Sequence, residues 1–163
     1  MKRLLLCLPL LCCLTACSSP VQEAPAVQES VQSDAAPDFS ALPGADPSVD
    51  IDLTAMSGTM VYSQVYDMAY APDAYIGRSV KVTGPFAVYH DESNGQDYFA
   101  VLIPDAAACC TQGMEFDWEG HTYPDDYPEE GSQITVSGTF STYEENGTTY
   151  CCLLHAQLET AQA

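Results

Sequence analysis

The chain is 163 residues long and carries 23 acidic residues against 4 Lys and Arg, which gives a formal net charge of -19 at pH 7. A surface this acidic repels phosphate groups, so the composition predicts that nucleic acid is not a partner. It also argues against attachment to anionic lipids through a basic surface, whereas metal ions and cationic ligands fit the charge. The alternative interpretation is that the charge only keeps the protein soluble.

The N-terminal residues have the layout of an export signal. Lys2 and Arg3 precede an apolar run, residues 4–14, that is too short to span a bilayer. The run ends in Leu14-Thr15-Ala16-Cys17, which resembles the lipobox of bacterial lipoproteins. The resemblance implies that residues 1–16 are a signal peptide and that Cys17 carries lipid, which anchors the chain at the extracytoplasmic face of the cell membrane. An ordinary signal peptide with an incidental cysteine is the alternative.

Residues 17–49 are predicted to be a disordered, lipid-anchored linker. They are rich in Pro, Ala, Ser, Gln and acidic residues and contain one aromatic residue, Phe39. Such a segment buries too little apolar surface to offset the entropy lost on folding. A flexible chain of this length reaches roughly 30 Å, so it would hold a folded domain, residues 50–159, clear of the membrane surface.

A single helix is predicted near the start of the folded domain. In the segment SGTMVYSQVYDMAYAPD, apolar residues that include Val65 and Met68 recur at helical spacing, and Pro72 ends the pattern. Three tyrosines four residues apart lie beside the apolar face, and we expect them to belong to the core. These are Tyr62, Tyr66 and Tyr70.

Five strands are predicted after the helix, separated by turns such as Asn94-Gly95. Glycines at positions 84 and 138 mark bends of the kind that long strands need to close a small barrel. The fold class is therefore mainly β, a five-stranded oligonucleotide/oligosaccharide-binding (OB)-like barrel with one N-terminal helix; a β-sandwich is the alternative. The predicted strands are Gly77–Phe86, Asp97–Ile103, Gly113–Gly120, Ser132–Tyr143 and Thr149–Glu159.

An OB barrel usually has a helix between its third and fourth strands, and this chain departs from that pattern. The segment HTYPDDYPEEG occupies the position and contains two prolines, so it cannot form a long helix. We expect the N-terminal helix to cover the barrel instead.

Two Cys-Cys pairs, Cys109-Cys110 and Cys151-Cys152, are the residues best suited to chemistry. One interpretation is a disulfide such as Cys110 to Cys151, which suits an exported domain. Another is a site for Zn²⁺ or another thiophilic metal formed by the four cysteines with His155, although adjacent cysteines in a strand point to opposite faces. The third is that the cysteines are reduced, buried hydrophobic residues.

No catalytic motif is present: there is no Ser/His/Asp signature, no glycine-rich phosphate loop and no His-Glu-x-x-His. A nucleophilic cysteine beside His155 is the one arrangement that would suit catalysis. We therefore predict that the protein is not an enzyme.

Four strings carry a resemblance to a known family: YIGRSVKVTGPF, ACCTQGMEF, YPEEGSQITVSGTF and YCCLLHAQL. Together they span residues 75–158 and resemble OB-type lipoproteins of Firmicutes-like bacteria. They are similar, more faintly, to the soluble C-terminal domain of a membrane subunit that is paired with a permease. The resemblance implies an exported OB-like barrel associated with a membrane transport protein, and it transfers no catalytic residue.

These features predict a membrane-anchored extracytoplasmic lipoprotein with a non-catalytic OB-like binding or accessory module, associated with a metal or with transport. A disulfide-stapled domain for structure or protein interaction is the alternative. A thiol redox enzyme is a third hypothesis.

Overall fold

Six strands and one α-helix make up the part of the chain that the computed structural model describes, Phe39 and residues 42–160. The predicted signal peptide, the predicted lipidation site at Cys17 and most of the predicted linker lie outside these residues. Within them, no helix has the length and apolar character needed to cross a membrane. The elements are β1 (Ile51–Asp52), α1 (Gly58–Tyr70), β2 (Ser79–Asp91), β3 (Gln96–Pro104), β4 (Thr111–Phe116), β5 (Gln133–Glu145) and β6 (Thr148–Thr160), with 3-10 helices at Leu53–Ala55 and Pro72–Ala74.

The strands form a closed barrel with the order β2-β3-β4-β6-β5, and β5 pairs back to β2. Neighbouring strands are antiparallel except β4 and β6, which run parallel where Glu115 lies opposite Cys152. This confirms the predicted five-stranded OB-like barrel and not the alternative sandwich. The short strand β1 adds to the outside of β2 in parallel, and its two residues are too few to show a pattern in the sequence.

Alternation of side chains along the strands fills the barrel. Val80 and Val82 on β2 are fully buried, as are Val136 and Phe140 on β5, while the residues between them are only partly buried or exposed. This is the period-2 burial that the sequence predicts for these strands.

Two glycines allow strands to pass close to one another where the barrel bends. A Cβ at Gly84 would lie 2.3 Å from the backbone oxygen of Leu102, and a Cβ at Gly138 would lie 2.9 Å from that of Leu154. Both distances are shorter than a carbon can tolerate, so these positions accept only glycine without a backbone shift. A register shift between β5 and β6 also falls at Gly138, which agrees with the predicted bend.

Helix α1 packs against β3, β4 and β6 and buries a narrow apolar stripe that includes Val65 and Met68. The prediction that the tyrosine row belongs to the core is confirmed for Tyr62, which is partly buried and packs against it, and is wrong for Tyr66 and Tyr70. Tyr66 and Tyr70 are 55% and 80% exposed and stack on each other, because the helix presents only one stripe to the barrel. The buried tyrosine is instead Tyr75, whose hydroxyl accepts a 3.0 Å hydrogen bond from Gln64 and donates one to Asp67.

The segment between β4 and β5, residues 117–132, contains no helix, as its prolines predict. It covers the barrel with an aromatic side chain, Tyr127, whose ring centroid lies 4.3 Å from that of Phe99 and 5.8 Å from that of Phe86. Aromatic packing therefore holds this segment against the barrel.

Residues before position 50 make contacts with the barrel. Asp46, assigned by the sequence to the linker, pairs with Lys81 at 3.0 Å, and its backbone N–H donates to the Asp52 carboxylate at 2.8 Å. Hydrogen bonds from Ser48, and then from Lys81, hold the pKa of Asp46 well below its ordinary value. Residues 42–49 therefore contact the barrel rather than only leading to it.

Candidate binding cleft

A cleft of about 670 Å³ opens between the first residues of β3, the end of β4, and the β5–β6 hairpin. Its volume is typical of sites that bind small organic ligands. It lies on the face of the barrel, between two hairpin loops, where OB folds bind their ligands. The lining residues are Gln96, Asp97, Tyr98, Phe99, Glu115, Phe116, Asp117, Ser141, Thr142, Tyr143, Cys152 and Leu154.

Two hairpin tips meet beside this cleft. The Tyr98 hydroxyl donates to the carboxylate of Glu145 at 2.9 Å, and the Asn94 amide donates to the same carboxylate at 3.0 Å. Both hairpins turn through glycines in the left-handed region, Gly95 with φ 73° and Gly147 with φ 79°, which the Asn-Gly sequence favours. Glu145 therefore links the β2–β3 and β5–β6 tips through side chains alone.

A carboxylate and a phenol share the wall of the cleft. The Tyr143 hydroxyl donates to Glu115 at 2.7 Å, joining β5 to β4. Burial raises the pKa of Glu115 above its ordinary value, although the bond from Tyr143 acts in the opposite direction. Burial, and then the bond to Glu115, raises the pKa of Tyr143, so the phenol stays protonated and acts as a donor.

The cleft is negative. Three of its lining residues are carboxylates, Asp97, Glu115 and Asp117, and none is Lys or Arg. Both basic residues of the described chain lie near its first strands: Lys81 pairs with Asp46, and Arg78 donates to the backbone oxygen of Asp50 at 3.4 Å. A cationic group in the cleft would therefore meet only attractive charges from its lining.

The four described cysteines are free thiols, and no bridge links Cys110 to Cys151. Strand register explains this. Cys152 lies opposite Glu115, so Cys151 is level with residue 114, which is four residues or roughly 13 Å along β4 from Cys110. A disulfide needs Cα atoms within about 7 Å.

Cys151 and Cys152 lie on β6, where burial raises the pKa of both thiols, that of Cys152 to about 11. Cys152 lines the cleft, and the Cys151 sulfur lies 3.9 Å from the backbone oxygen of Met68 in α1. His155 pairs with Glu119 at 3.0 Å. Raised pKa values keep these thiols protonated, which disfavours the nucleophilic arrangement that the sequence allowed.

Cys109 and Cys110 lie in the loop between β3 and β4, not in a strand. Their sulfurs are 3.9 Å apart, so they do not splay as adjacent residues of a strand would. Asp105 completes the group: among the described residues, these three are the one set of potential metal ligands whose atoms all lie within 4.8 Å. That set includes neither Cys151, Cys152 nor His155.

Sequence reasoning missed the carboxylates and phenols of the cleft and the part played by Asp105. Tyr98 and Glu145 are 47 residues apart, and Glu115 and Tyr143 are 28 residues apart, so no local pattern reveals either pair. The aspartate that follows Pro104 and begins a turn was the one local signal for Asp105.

Comparisons with known proteins give matches in structure only. No family model matches the chain, and no curated protein matches it. A Klebsiella pneumoniae protein, provisionally assigned as a nucleic acid-binding lipoprotein, is similar at 20% identity and a TM-score of 0.42 over 70% of this chain and 94% of its own. The N-terminal domain of PriB from Thermoanaerobacter tencongensis has 15% identity and a TM-score of 0.30, over 52% of this chain and 97% of its own. A single-stranded DNA binding protein from lactococcal phage p2 has 14% identity and a TM-score of 0.33, over 53% of this chain and 100% of its own.

Strand order and cleft position define the class of protein, a small barrel with OB topology. The prediction that nucleic acid is not a partner is wrong as an exclusion, because two of the similar structures are named for binding nucleic acid or single-stranded DNA. None of the three is named as a permease subunit, so that part of the resemblance gains no support.

Proposed function

We propose that this protein is a lipid-anchored, extracytoplasmic binding module without catalysis, and that its cleft takes an organic ligand bearing an amine or guanidinium cation. The observation that carries the proposal is the lining of the cleft: three carboxylates, four aromatic residues and no Lys or Arg. The lipobox at Cys17 supports the anchor and the extracytoplasmic location.

Carboxylates and aromatic rings attract a cation by different means. A carboxylate forms charge-assisted hydrogen bonds with an ammonium or guanidinium group. A tyrosine or phenylalanine ring attracts the same group through its negative face. Tyr143 contacts Glu115, and Tyr98 lines the same cleft, so the proposed cation would have both kinds of group within one site.

Titration calorimetry with spermidine and with an arginine-tyrosine dipeptide tests the proposal on the full chain. The double variant Glu115→Gln with Asp117→Asn removes two charges from the cleft. We expect it to bind at least about tenfold more weakly, since the loss of one charge-assisted bond is worth about 1.5 kcal/mol or more. We also expect the affinity of the parent to fall as salt is added.

A matched control removes the same number of charges outside the cleft. Asp125→Asn with Glu129→Gln alters exposed residues of the β4–β5 segment that do not line it. Equal weakening in the two double variants would show a diffuse effect of net charge and contradict a cleft site. Single-stranded oligothymidylate whose binding to the parent is changed by the cleft double variant, while neither cation binds the parent, would assign the cleft to nucleic acid and overturn the proposal.

A further inference from the structure

The loop between β3 and β4 holds a carboxylate in a fixed position by its own backbone. The N–H of Asp105 donates to the backbone oxygen of Cys110 at 2.9 Å, and that of Ala108 donates to the backbone oxygen of Asp105 at 3.0 Å. Ala108 has φ 53°, a conformation that L-residues rarely adopt. The side chain of Asp105 then accepts the N–H of Cys109 through Oδ1 at 2.9 Å, which leaves Oδ2 directed at the Cys109 sulfur.

Three ligand atoms converge at this loop with the spacing of a tetrahedral metal site. The sulfurs of Cys109 and Cys110 are 3.9 Å apart, and the Cys109 sulfur is 3.2 Å from Asp105 Oδ2. Zinc bonds of about 2.3 Å to sulfur and 2.0 Å to oxygen place two tetrahedral sulfur ligands about 3.8 Å apart, and a sulfur and an oxygen about 3.5 Å apart. Both observed distances lie within a few tenths of an ångström of these values.

We propose that Asp105, Cys109 and Cys110 form a binding site for a thiophilic divalent cation, with Zn²⁺ as the best match. Two thiolates and one carboxylate would bind the ion, and the fourth position would face solvent, because both cysteines are exposed. Copper(I) prefers sulfur ligands alone, whereas a mixed set of sulfur and oxygen ligands suits zinc. Each thiol releases its proton to solvent when the ion binds.

This site is distinct from the cleft and from the four-cysteine site that the sequence suggested. The cleft uses the first residues of β3 and the last of β4, whereas the loop joins the other ends of these strands. The proposal therefore stands whether or not the cleft binds a cation. The net negative charge of the chain raises the local concentration of any cation near the loop.

Cobalt(II) absorption and zinc competition test the proposal on the full chain in reducing buffer. In every sample Cys7, Cys12, Cys13 and Cys17 are replaced by serine, so that thiols outside the barrel do not contribute. We expect one Co²⁺ per chain, with thiolate-to-cobalt charge-transfer absorption from two sulfurs. We expect Zn²⁺ to displace it stoichiometrically.

Single variants separate ligation from loop structure. Cys109→Ser and Cys110→Ser should each halve the charge-transfer intensity at saturation. They should also weaken zinc binding by more than the roughly 10- to 100-fold that changes in outer-sphere partners cost. Asp105→Asn keeps an acceptor for the Cys109 N–H, so it should weaken binding while leaving the intensity at saturation unchanged.

Two control variants are matched to these changes. Asp126→Asn alters another loop carboxylate, which accepts the N–H of Thr122 at 2.7 Å, and Cys151→Ser removes a thiol far from the loop. Both should bind zinc like the parent. A charge-transfer band that survives in Cys109→Ser with Cys110→Ser, or that is lost in Cys151→Ser, would overturn the proposal, as would zinc affinity unchanged by Asp105→Asn.

Discussion

Glu115 is a residue whose burial opposes the charge that the proposed cation site needs. It is half-buried in the cleft wall, where desolvation disfavours the charged form and raises the pKa. The folded state therefore holds the proton more tightly than the unfolded state does. A carboxylate kept in such a place lowers stability once it ionises, which is common for residues whose charge serves a ligand.

We expect Glu115→Gln to stabilise the protein at pH 7. Gln mimics the protonated carboxyl and still accepts the Tyr143 hydroxyl. The stabilising proton is bound below the ordinary pKa of 4.5 and is lost as the pH rises through the higher folded value, so the parent loses stability over that interval and the variant does not. Urea unfolding of both proteins from pH 3 to pH 8 measures the difference, which should vanish below about pH 4.

Glu129→Gln provides the comparison, since Glu129 is an exposed residue of the β4–β5 segment. Its difference from the parent should not follow the same pH profile. A Glu115→Gln variant that is less stable than the parent at pH 7 would mean that the hydrogen bond from Tyr143 outweighs the cost of burial.

The thiols of β6 are poor nucleophiles for the same physical reason. Burial raises the pKa of Cys152 to about 11, and the nearby Glu115 carboxylate adds to this. Reactive cysteines instead have lowered pKa values, next to positive charge or a helix N-terminus. The electrostatics of these two thiols therefore argue against them as the nucleophiles of a thiol redox enzyme.

Among the elements, strand β2 depends on one glycine, Gly84, to pair with two different strands. Its first half pairs with β5 and its second half with β3, and Gly84 lies where the strand passes from one partner to the other. At that point the Leu102 backbone comes within 2.3 Å of where a Cβ would be. A strand with a side chain here could not pair with both neighbours.

We expect Gly84→Ala to destabilise the barrel by about 1–3 kcal/mol, the usual range for forcing an extra carbon into a packed site. Gly113→Ala is the matched control, since a Cβ there meets only the Ala100 Cβ at 3.8 Å, an ordinary contact. Its effect should stay within about 0.5 kcal/mol. Urea unfolding of both variants measures the two free energies, and equal values would contradict the close-approach explanation.

At the scale of the whole molecule, the features that could be predicted from sequence are those encoded locally. Alternation placed Val80, Val82 and Phe140 inside the barrel, and the prolines between β4 and β5 excluded a helix there. The predicted burial of Tyr66 and Tyr70 on α1 is wrong because helical spacing shows which residues share a face, not how much of that face is covered.

The remainder of the molecule depends on which strands become neighbours. The hydrogen bond from Tyr98 to Glu145 and the one from Tyr143 to Glu115 each join residues that are far apart in the chain. The convergence of Cys109 and Cys110 depends on whether the pair lies in a strand or a turn, and propensities place such boundaries only to within a few residues. These contacts depend on the tertiary arrangement of the strands, which no local sequence pattern specifies.

Anchoring is the property of the whole molecule that the lipobox predicts. We expect Cys17→Ser to abolish labelling by a clickable fatty acid and to release the protein from the membrane fraction, because the lipidated sulfur is lost. Cys13→Ser, within the apolar run, should leave both unchanged. Gel fluorescence and fractionation measure the two effects, and label that persists in Cys17→Ser would contradict the lipoprotein interpretation.

The side-chain link at Glu145 has a kinetic consequence for the two hairpin tips. Backbone hydrogen bonds close the barrel, whereas the side chains of Tyr98, Asn94 and Glu145 join the tips. Rotamer changes of side chains are faster than collective motions of strands, which take microseconds or longer. The tips can therefore separate through side-chain rotation, without any strand leaving its partner.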